Sequence, residues 1–197
     1  MIQISITGLD GCGKSTQAKL LKEYLPNARI VSVWDIIKRL EFQSWSIYKM
    51  PPDVEQYVYN LHPLSRSFFI FHAFNEAYQK ALQSGADYVI FDGNWYKYWA
   101  VEQAMGAPEN LGDLLNKQYP NPDYNFYLQL PVSEIIKRKK NISIYESGDK
   151  NRLDNFVKIQ TKTKDILEKI LPENTIVIDG SQTEEVIHQD ILKHIKL

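Results

Sequence analysis

The residues best suited to chemistry cluster at the start of this chain. Gly8-Leu9-Asp10-Gly11-Cys12-Gly13-Lys14-Ser15-Thr16 fits G-x-x-x-x-G-K-[ST], the spacing of a loop that cradles phosphate. Glycines let the backbone curl until several N–H groups point at one anion. A helix after the loop adds its unpaired N-terminal N–H groups and the positive end of its dipole. In that arrangement Lys14 reaches the β- and γ-phosphates, and the Ser15 hydroxyl holds Mg²⁺. The flanks fit: Met1–Thr7 is apolar and strand-like, and Gln17–Leu25 has a helical pattern. The expected ligand is a nucleoside triphosphate with Mg²⁺, bound by Gly8, Asp10, Gly11, Cys12, Gly13, Lys14, Ser15 and Thr16.

A second acid belongs to the same region. Asp87-Tyr88-Val89-Ile90-Phe91-Asp92-Gly93 reads as a buried strand ending in a carboxylate. In open parallel sheets ligands gather outside the carboxyl ends of the strands, which brings Asp92 towards the P-loop. There it can accept from metal-bound water or polarise an acceptor; a turn-capping role before Gly93 is the competing reading. Asp10 lies inside the loop, where a negative charge beside phosphate is unfavourable unless it accepts from a sugar hydroxyl or a positioned base. Cys12 reads as a small packing residue. His62, His72, His188 and His194 show no metal-ligand spacing.

Strand and helix signals alternate along the chain, the pattern of an α/β fold with a mostly parallel sheet. The strands are expected at Ile2–Thr7, Arg29–Val33, Tyr88–Phe91, Tyr124–Leu130 and Thr175–Ile178. Leu64, Phe68, Phe71, Phe74, Tyr78 and Leu82 mark one long amphipathic helix, with Gly85 as its stop. Asn151–Ile170 is a second. Thr183 is the expected N-cap of a last helix whose apolar stripe is Val186, Ile187, Ile191 and Ile195. Between Lys137-Arg138-Lys139-Lys140 and Lys150/Arg152 lies a polar stretch with no steady period. It reads as a mobile, cation-edged lid over phosphates, at approximately 138–152.

The 197 residues suit one domain, 1–197. With 23 basic and 24 acidic residues the net charge is −1, so no global basic field argues for nucleic-acid binding. One cysteine excludes an internal disulfide framework and fits a reducing compartment. The N-terminus enters the first strand without a basic stretch, and no apolar run reaches membrane-spanning length. A cytoplasmic protein without membrane contact is expected.

The P-loop with its acid at the third position resembles that of the thymidylate kinase family. Pro122-Asp123-Tyr124-Asn125-Phe126-Tyr127-Leu128 with Pro131-Val132-Ser133-Glu134 resembles that family's fourth strand. Ile178-Asp179-Gly180-Ser181-Gln182-Thr183-Glu184-Glu185-Val186 resembles its C-terminal segment. The resemblance implies a P-loop NTPase fold with a five-stranded parallel sheet flanked by helices and a small lid. It implies transfer of a phosphoryl group from MgATP to a deoxynucleoside monophosphate, most simply dTMP. It also implies a homodimer. Lys14, Asp92, Arg138 and Arg152 would be catalytic, with Ser15 and Asp92 at the metal and Ser181 and Gln182 beside adenine. Asp10 would contact the acceptor's sugar, and Phe71 and Asn75 would lie at its base.

Departures concern the acceptor. Gly93 stands where the family has an arginine that clamps the acceptor phosphate, leaving Lys97 or Arg66 as substitutes. Asn75 stands where an arginine reads thymine, and the family's Pro-Gly segment after the second strand is replaced by Val31-Ser32-Val33-Trp34-Asp35. A different nucleotide or nucleoside acceptor, or a nucleotide-binding protein without catalysis, are the rival readings.

Overall fold

The computed structural model describes residues 1–37, 54–147 and 152–196. Five parallel strands form one sheet: β1 (Ile2–Thr7), β2 (Ala28–Val31), β3 (Tyr88–Asp92), β4 (Tyr124–Gln129) and β5 (Thr175–Asp179), in the order β2-β3-β1-β4-β5. Parallel neighbours need long crossovers, and helices supply them on both faces. The described helices are α1 (Lys14–Tyr24), α2 (Val33–Ile37), α3 (Val54–Asn60), α4 (Pro63–Leu82) and α5 (Trp95–Ala104). They continue with α6 (Leu111–Gln118), α7 (Val132–Arg138), α8 (Ile144–Ser147), α9 (Leu153–Ile170) and α10 (Glu184–Leu192).

Successive strand side chains point to opposite faces, and β3 shows it. Ile90 joins one core with Ile4, Ile6, Leu21, Phe126, Ile178 and Ile191. Val89 and Phe91 join the other, with Ile70, Phe74, Tyr96 and Trp99. Burying both faces explains why β3 has no polar alternation. On the second face a buried polar chain crosses the sheet. Ser5 Oγ and the Tyr96 hydroxyl lie 2.7 Å apart, and Tyr96 also donates to Asn125 Oδ1. The Asn125 amide donates to Thr175 Oγ1 at 2.5 Å, and Thr175 donates to the Pro172 carbonyl. One tyrosine from α5 thus ties β1 to β4, satisfying polar groups that would be costly unpaired.

Most elements fall where the sequence places them, within a few residues at their ends. β2 ends at Val31 rather than Val33, because Val33 already opens α2. The helix expected from Asn151 begins at Leu153; residue 151 lies outside the described residues. The buried face of α4 is Arg66, Ser67, Ile70, Phe71, Ala73, Phe74, Ala77, Tyr78 and Ala81. Phe68, expected on that stripe, is 59% exposed. Small and polar residues bury there because they sit against β2, α2 and α5, which an apolar count alone misses. Val186 is likewise exposed on α10. Thr183 caps α10 as expected, its hydroxyl accepting from the Val186 N–H. Among the described residues no helix is long and apolar enough to cross a membrane.

Removing the Tyr96 hydroxyl strands two buried partners, so Tyr96→Phe is expected to lower unfolding free energy by about 1–3 kcal/mol. Urea denaturation would show it as a shifted midpoint with an unchanged slope; a midpoint within error of the parent would remove the polar chain's role.

Candidate active site

The turn between β1 and α1 carries the P-loop. Gly8 has φ +148°, and a Cβ there would meet Cys12 Sγ at 2.6 Å and the Leu128 carbonyl oxygen at 2.8 Å. Only glycine fits, and Cys12 fills the space beneath it, 1% exposed. Burial pushes the Cys12 thiol up, against the pull of Lys14, so it stays a neutral packing group.

Lys14 is buried beside the loop. Its Nζ donates to the Leu9 carbonyl at 2.7 Å and lies 3.5 Å from Asp10 Oδ1. A second lysine comes from α5: Lys97 Nζ is 2.7 Å from the same Asp10 oxygen. Burial works against the Asp10 charge, but Lys97 and Lys14 outweigh it and hold the carboxyl far below its usual range. Burial likewise opposes the charge on Lys14, and the Asp10 and Asp92 carboxylates favour it. From α9, Gln160 Oε1 accepts from the Asp10 N–H at 3.1 Å, and its Nε2 is 3.5 Å from Asp10 Oδ2.

At the end of β3, Asp92 Oδ2 accepts from the Ser15 hydroxyl at 2.6 Å. Strand register explains the meeting: β1 and β3 pair with Ile6 opposite Asp92, so both strands end together. The two oxygens form a hard donor pair suited to Mg²⁺, which takes few protein ligands beside substrate phosphates. Among the described residues no cluster of three or more His, Cys, Asp or Glu could hold a metal without such help.

Asp10, Gly11, Gly13, Lys14, Ser15, Thr16, Asp92 and Lys97 line one cavity of about 390 Å³. Ser32, Trp34, Tyr98 and Glu146 complete it; none was named as a site residue from sequence, though Ser32 and Trp34 lie in the stretch that replaces the Pro-Gly segment and Glu146 in the expected lid. Ser32 and Trp34 follow the carboxyl end of β2, where the rule for parallel sheets could have found them. Glu146 and Gln160 carry no such signal. Tyr98 donates to the Asp92 carbonyl at 3.1 Å, and burial with nearby carboxylates raises its pKa well above the usual value.

Other expected site residues lie elsewhere. Arg138 donates to the carbonyls of Gly180 at 2.8 Å and Ser181 at 3.1 Å. It braces the loop after β5 instead of pointing at the P-loop. That loop is also held by Asp179, which accepts from the Ser181 N–H and the Gln182 amide. Hydrogen bonds from Ser181 and Gln182 bring the Asp179 carboxyl down to about 2. Arg152 is exposed beside Asp154. Phe71 is buried near Trp99, and Asn75 accepts from the Tyr119 hydroxyl; neither lines the cavity. Arg66 pairs with Glu102 at 2.8 Å and lines a separate cavity.

The family description that fits this arrangement, thymidylate kinase, matches residues 6–191. The chain belongs to the thymidylate kinase family. A relative called probable thymidylate kinase 1, from Saccharolobus solfataricus, is 30% identical, with 98% of this chain and 96% of that one aligned. A probable thymidylate kinase of Pyrococcus horikoshii is 29% identical over 98% and 95%. Among solved structures, the Candida albicans thymidylate kinase superposes with a TM-score of 0.71 at 22% identity, covering 98% of this chain and 89% of that one. A deoxyadenosine kinase of M. mycoides with bound dATP gives 0.66 at 16% identity, covering 98% of each chain. Thymidylate kinases are ATP-dependent phosphotransferases, and this chain is an enzyme of that class.

Against the family pattern, Gly93 is the clearest departure, and its surroundings are informative. It has φ +79°, and a Cβ there would lie 3.5 Å from both Lys97 Cδ and the Tyr98 hydroxyl. The Lys97 stem therefore runs past Gly93, and its ammonium enters the cavity from one helical turn later.

Asp10 gives this site a pH signature. The unfolded carboxyl takes a proton below its ordinary value of 3.8, whereas the folded one resists. Between those points the unfolded chain binds more protons, so stability falls as pH drops. Asp10→Asn is expected to cost about 3 kcal/mol at neutral pH, because two buried ammoniums lose their counter-charge. Its stability curve should converge on the parent's below pH 4; parallel curves from thermal melts across pH 2–7 would refute the pairing.

Proposed function

We propose that this protein transfers the γ-phosphoryl group of MgATP to dTMP. The observation that carries the reading is one cavity in which Lys14, Lys97, Asp10, Ser15 and Asp92 converge at the carboxyl ends of β1 and β3. Phosphoryl transfer needs little covalent help from protein, so catalysis consists of positioning and charge stabilisation. P-loop amides and Lys14 hold the donor's phosphates. Ser15 and Asp92 would hold Mg²⁺, which when bound would supply a Lewis acid to stabilise charge on the transferring phosphoryl group.

Lys97 takes the acceptor phosphate in place of the arginine absent at Gly93, and Asp10 turns to the acceptor's sugar hydroxyl. Arg138 and the Gly180–Gln182 loop frame adenine. The described part of the expected lid, 138–147, carries Glu146, which lines the cavity and is held by Lys139 at 2.5 Å. Lys150, expected on that lid, lies outside the described residues. The enzyme acts on small nucleotides in the cytoplasm, as a homodimer of single-domain chains, without nucleic-acid partners. Because Asn75 and Phe71 stand outside the cavity while Lys97 and Tyr98 line it, another deoxynucleoside monophosphate is the second reading for the acceptor.

Lys14→Ala should lower kcat by about 10²–10³, the usual loss for one preorganised charge at a transition state. Coupled ADP-release assays with dTMP, dUMP, dCMP and thymidine check both rate and acceptor; turnover on thymidine but on no monophosphate would overturn the proposal. Lys97→Met should raise KM for the acceptor at least tenfold with little change in KM for ATP, and Lys97→Arg should recover most of it. Equal effects on both substrates would assign Lys97 to the donor instead.

A further inference from the structure

A second cavity, of about 450 Å³, opens between α3, α4, α5 and α9, away from the P-loop. Its size falls in the range that holds small molecules. Its charge is one-sided: Arg66, Lys158 and Lys162 line it, and no carboxylate does among the described residues. Arg66 is 3% exposed. Its Nε goes to Glu102 and its Nη2 to the Met105 carbonyl, while Nη1 has no protein partner among the described residues. Lys158 and Lys162 sit one turn apart on α9, and neither makes an ion pair among the described residues. Tyr59, Pro63, Met105 and Ile159 provide apolar wall. Like charges so placed repel each other, and an anion between them relieves the repulsion.

The cavity is wired to the nucleotide pocket. Glu102, fully buried, accepts from Arg66 on one oxygen and from the Tyr145 hydroxyl on the other, at 2.8 and 2.9 Å. The Tyr145 ring packs edge-on against Trp34 at 5.0 Å, and Trp34 lines the nucleotide pocket. Burial pushes the Glu102 pKa up despite Arg66. Weakening that pair therefore moves Glu102 towards its neutral form and loosens its hold on Tyr145. A second link runs through α9, where Lys158 and Lys162 flank Gln160, the residue that grips Asp10.

We propose that this second cavity binds a phosphate-bearing small molecule, and that its occupancy is transmitted through Arg66, Glu102, Tyr145 and Trp34 to the nucleotide pocket. The phosphate sits between Arg66 Nη1 and the two α9 lysines, and the apolar wall takes the rest of the molecule. By linkage, the effect must run both ways.

Inorganic pyrophosphate is the probe, with saturating ADP in the P-loop and no added metal. Methyl resonances of Met105 and Ile159 should shift saturably. In the surface double variant Lys158→Glu/Lys162→Glu, with an unchanged melting temperature, affinity for the probe should fall at least tenfold. Pyrophosphate should also change the ADP dissociation constant severalfold more in the parent than in that variant, competition at the P-loop being common to both. Tyr145→Phe, which keeps the ring and loses the hydroxyl, should bind the probe normally and lose that excess. Absence of saturable shifts, or shifts untouched by the charge reversal, would overturn the site. Binding without an excess effect on ADP would overturn the coupling. None of these readouts depends on the acceptor, so they fail or succeed independently of the kinase reading.

Discussion

One carboxylate shared by two ammonium groups sets the terms for the whole site. Asp10 sits in a loop built to attract anions, where its own charge would be out of place without Lys14 and Lys97 beside it. The three groups come from the P-loop and from α5, so the site exists only while the β1–α1 turn and α5 keep their spacing. That spacing is fixed by the sheet. β1 and β3 pair in parallel with their ends aligned, and Tyr96 of α5 is fastened to β1 and β4 by buried hydrogen bonds. Lys97 is its next residue, so the structural tie and the ionic one are adjacent in the chain.

The same constraint explains the departure at Gly93. At Gly93 the φ of +79° disfavours any side chain, and a Cβ there would sit in ordinary contact with the Lys97 stem and the Tyr98 ring. The positive charge is kept in the pocket while its point of attachment moves from a strand end to a helix. Lysine is a compact point charge where arginine is a flat fork, so under the proposed function the acceptor phosphate would meet a single donor centre here. Tyr98 comes with the exchange and closes the pocket wall beside it.

The fold was largely legible because its signals are local. The strands are short and rich in Ile, Val and aromatic residues, the P-loop is contiguous, and Thr183 announces its helix by type and position. The parts of the site that follow from that contiguity, Lys14, Ser15 and the glycines, could be read directly, and Asp92 followed from the strand-end rule. What could not be read depends on long-range crossing. Gln160 meets Asp10 across 150 residues, and Glu146 reaches the pocket from a segment with no periodicity. Arg138 had the right charge near the right loop, yet its long side chain satisfies the Gly180 and Ser181 carbonyls. Phe68 misleads for a related reason: helical spacing gives a face, and tertiary neighbours decide how far round it turns.

The lone thiol closes a different account. Cys12 is sealed under Gly8, so closely that a single added carbon on that glycine would collide with its sulfur. Reagents that alkylate cysteine therefore meet nothing at the surface of the folded protein. They can reach the sulfur only when the turn lifts off the sheet, so the labelling rate reports how often this one turn opens. Nucleotide in the cradle would slow that rate, giving a clock for the loop that needs no engineered probe.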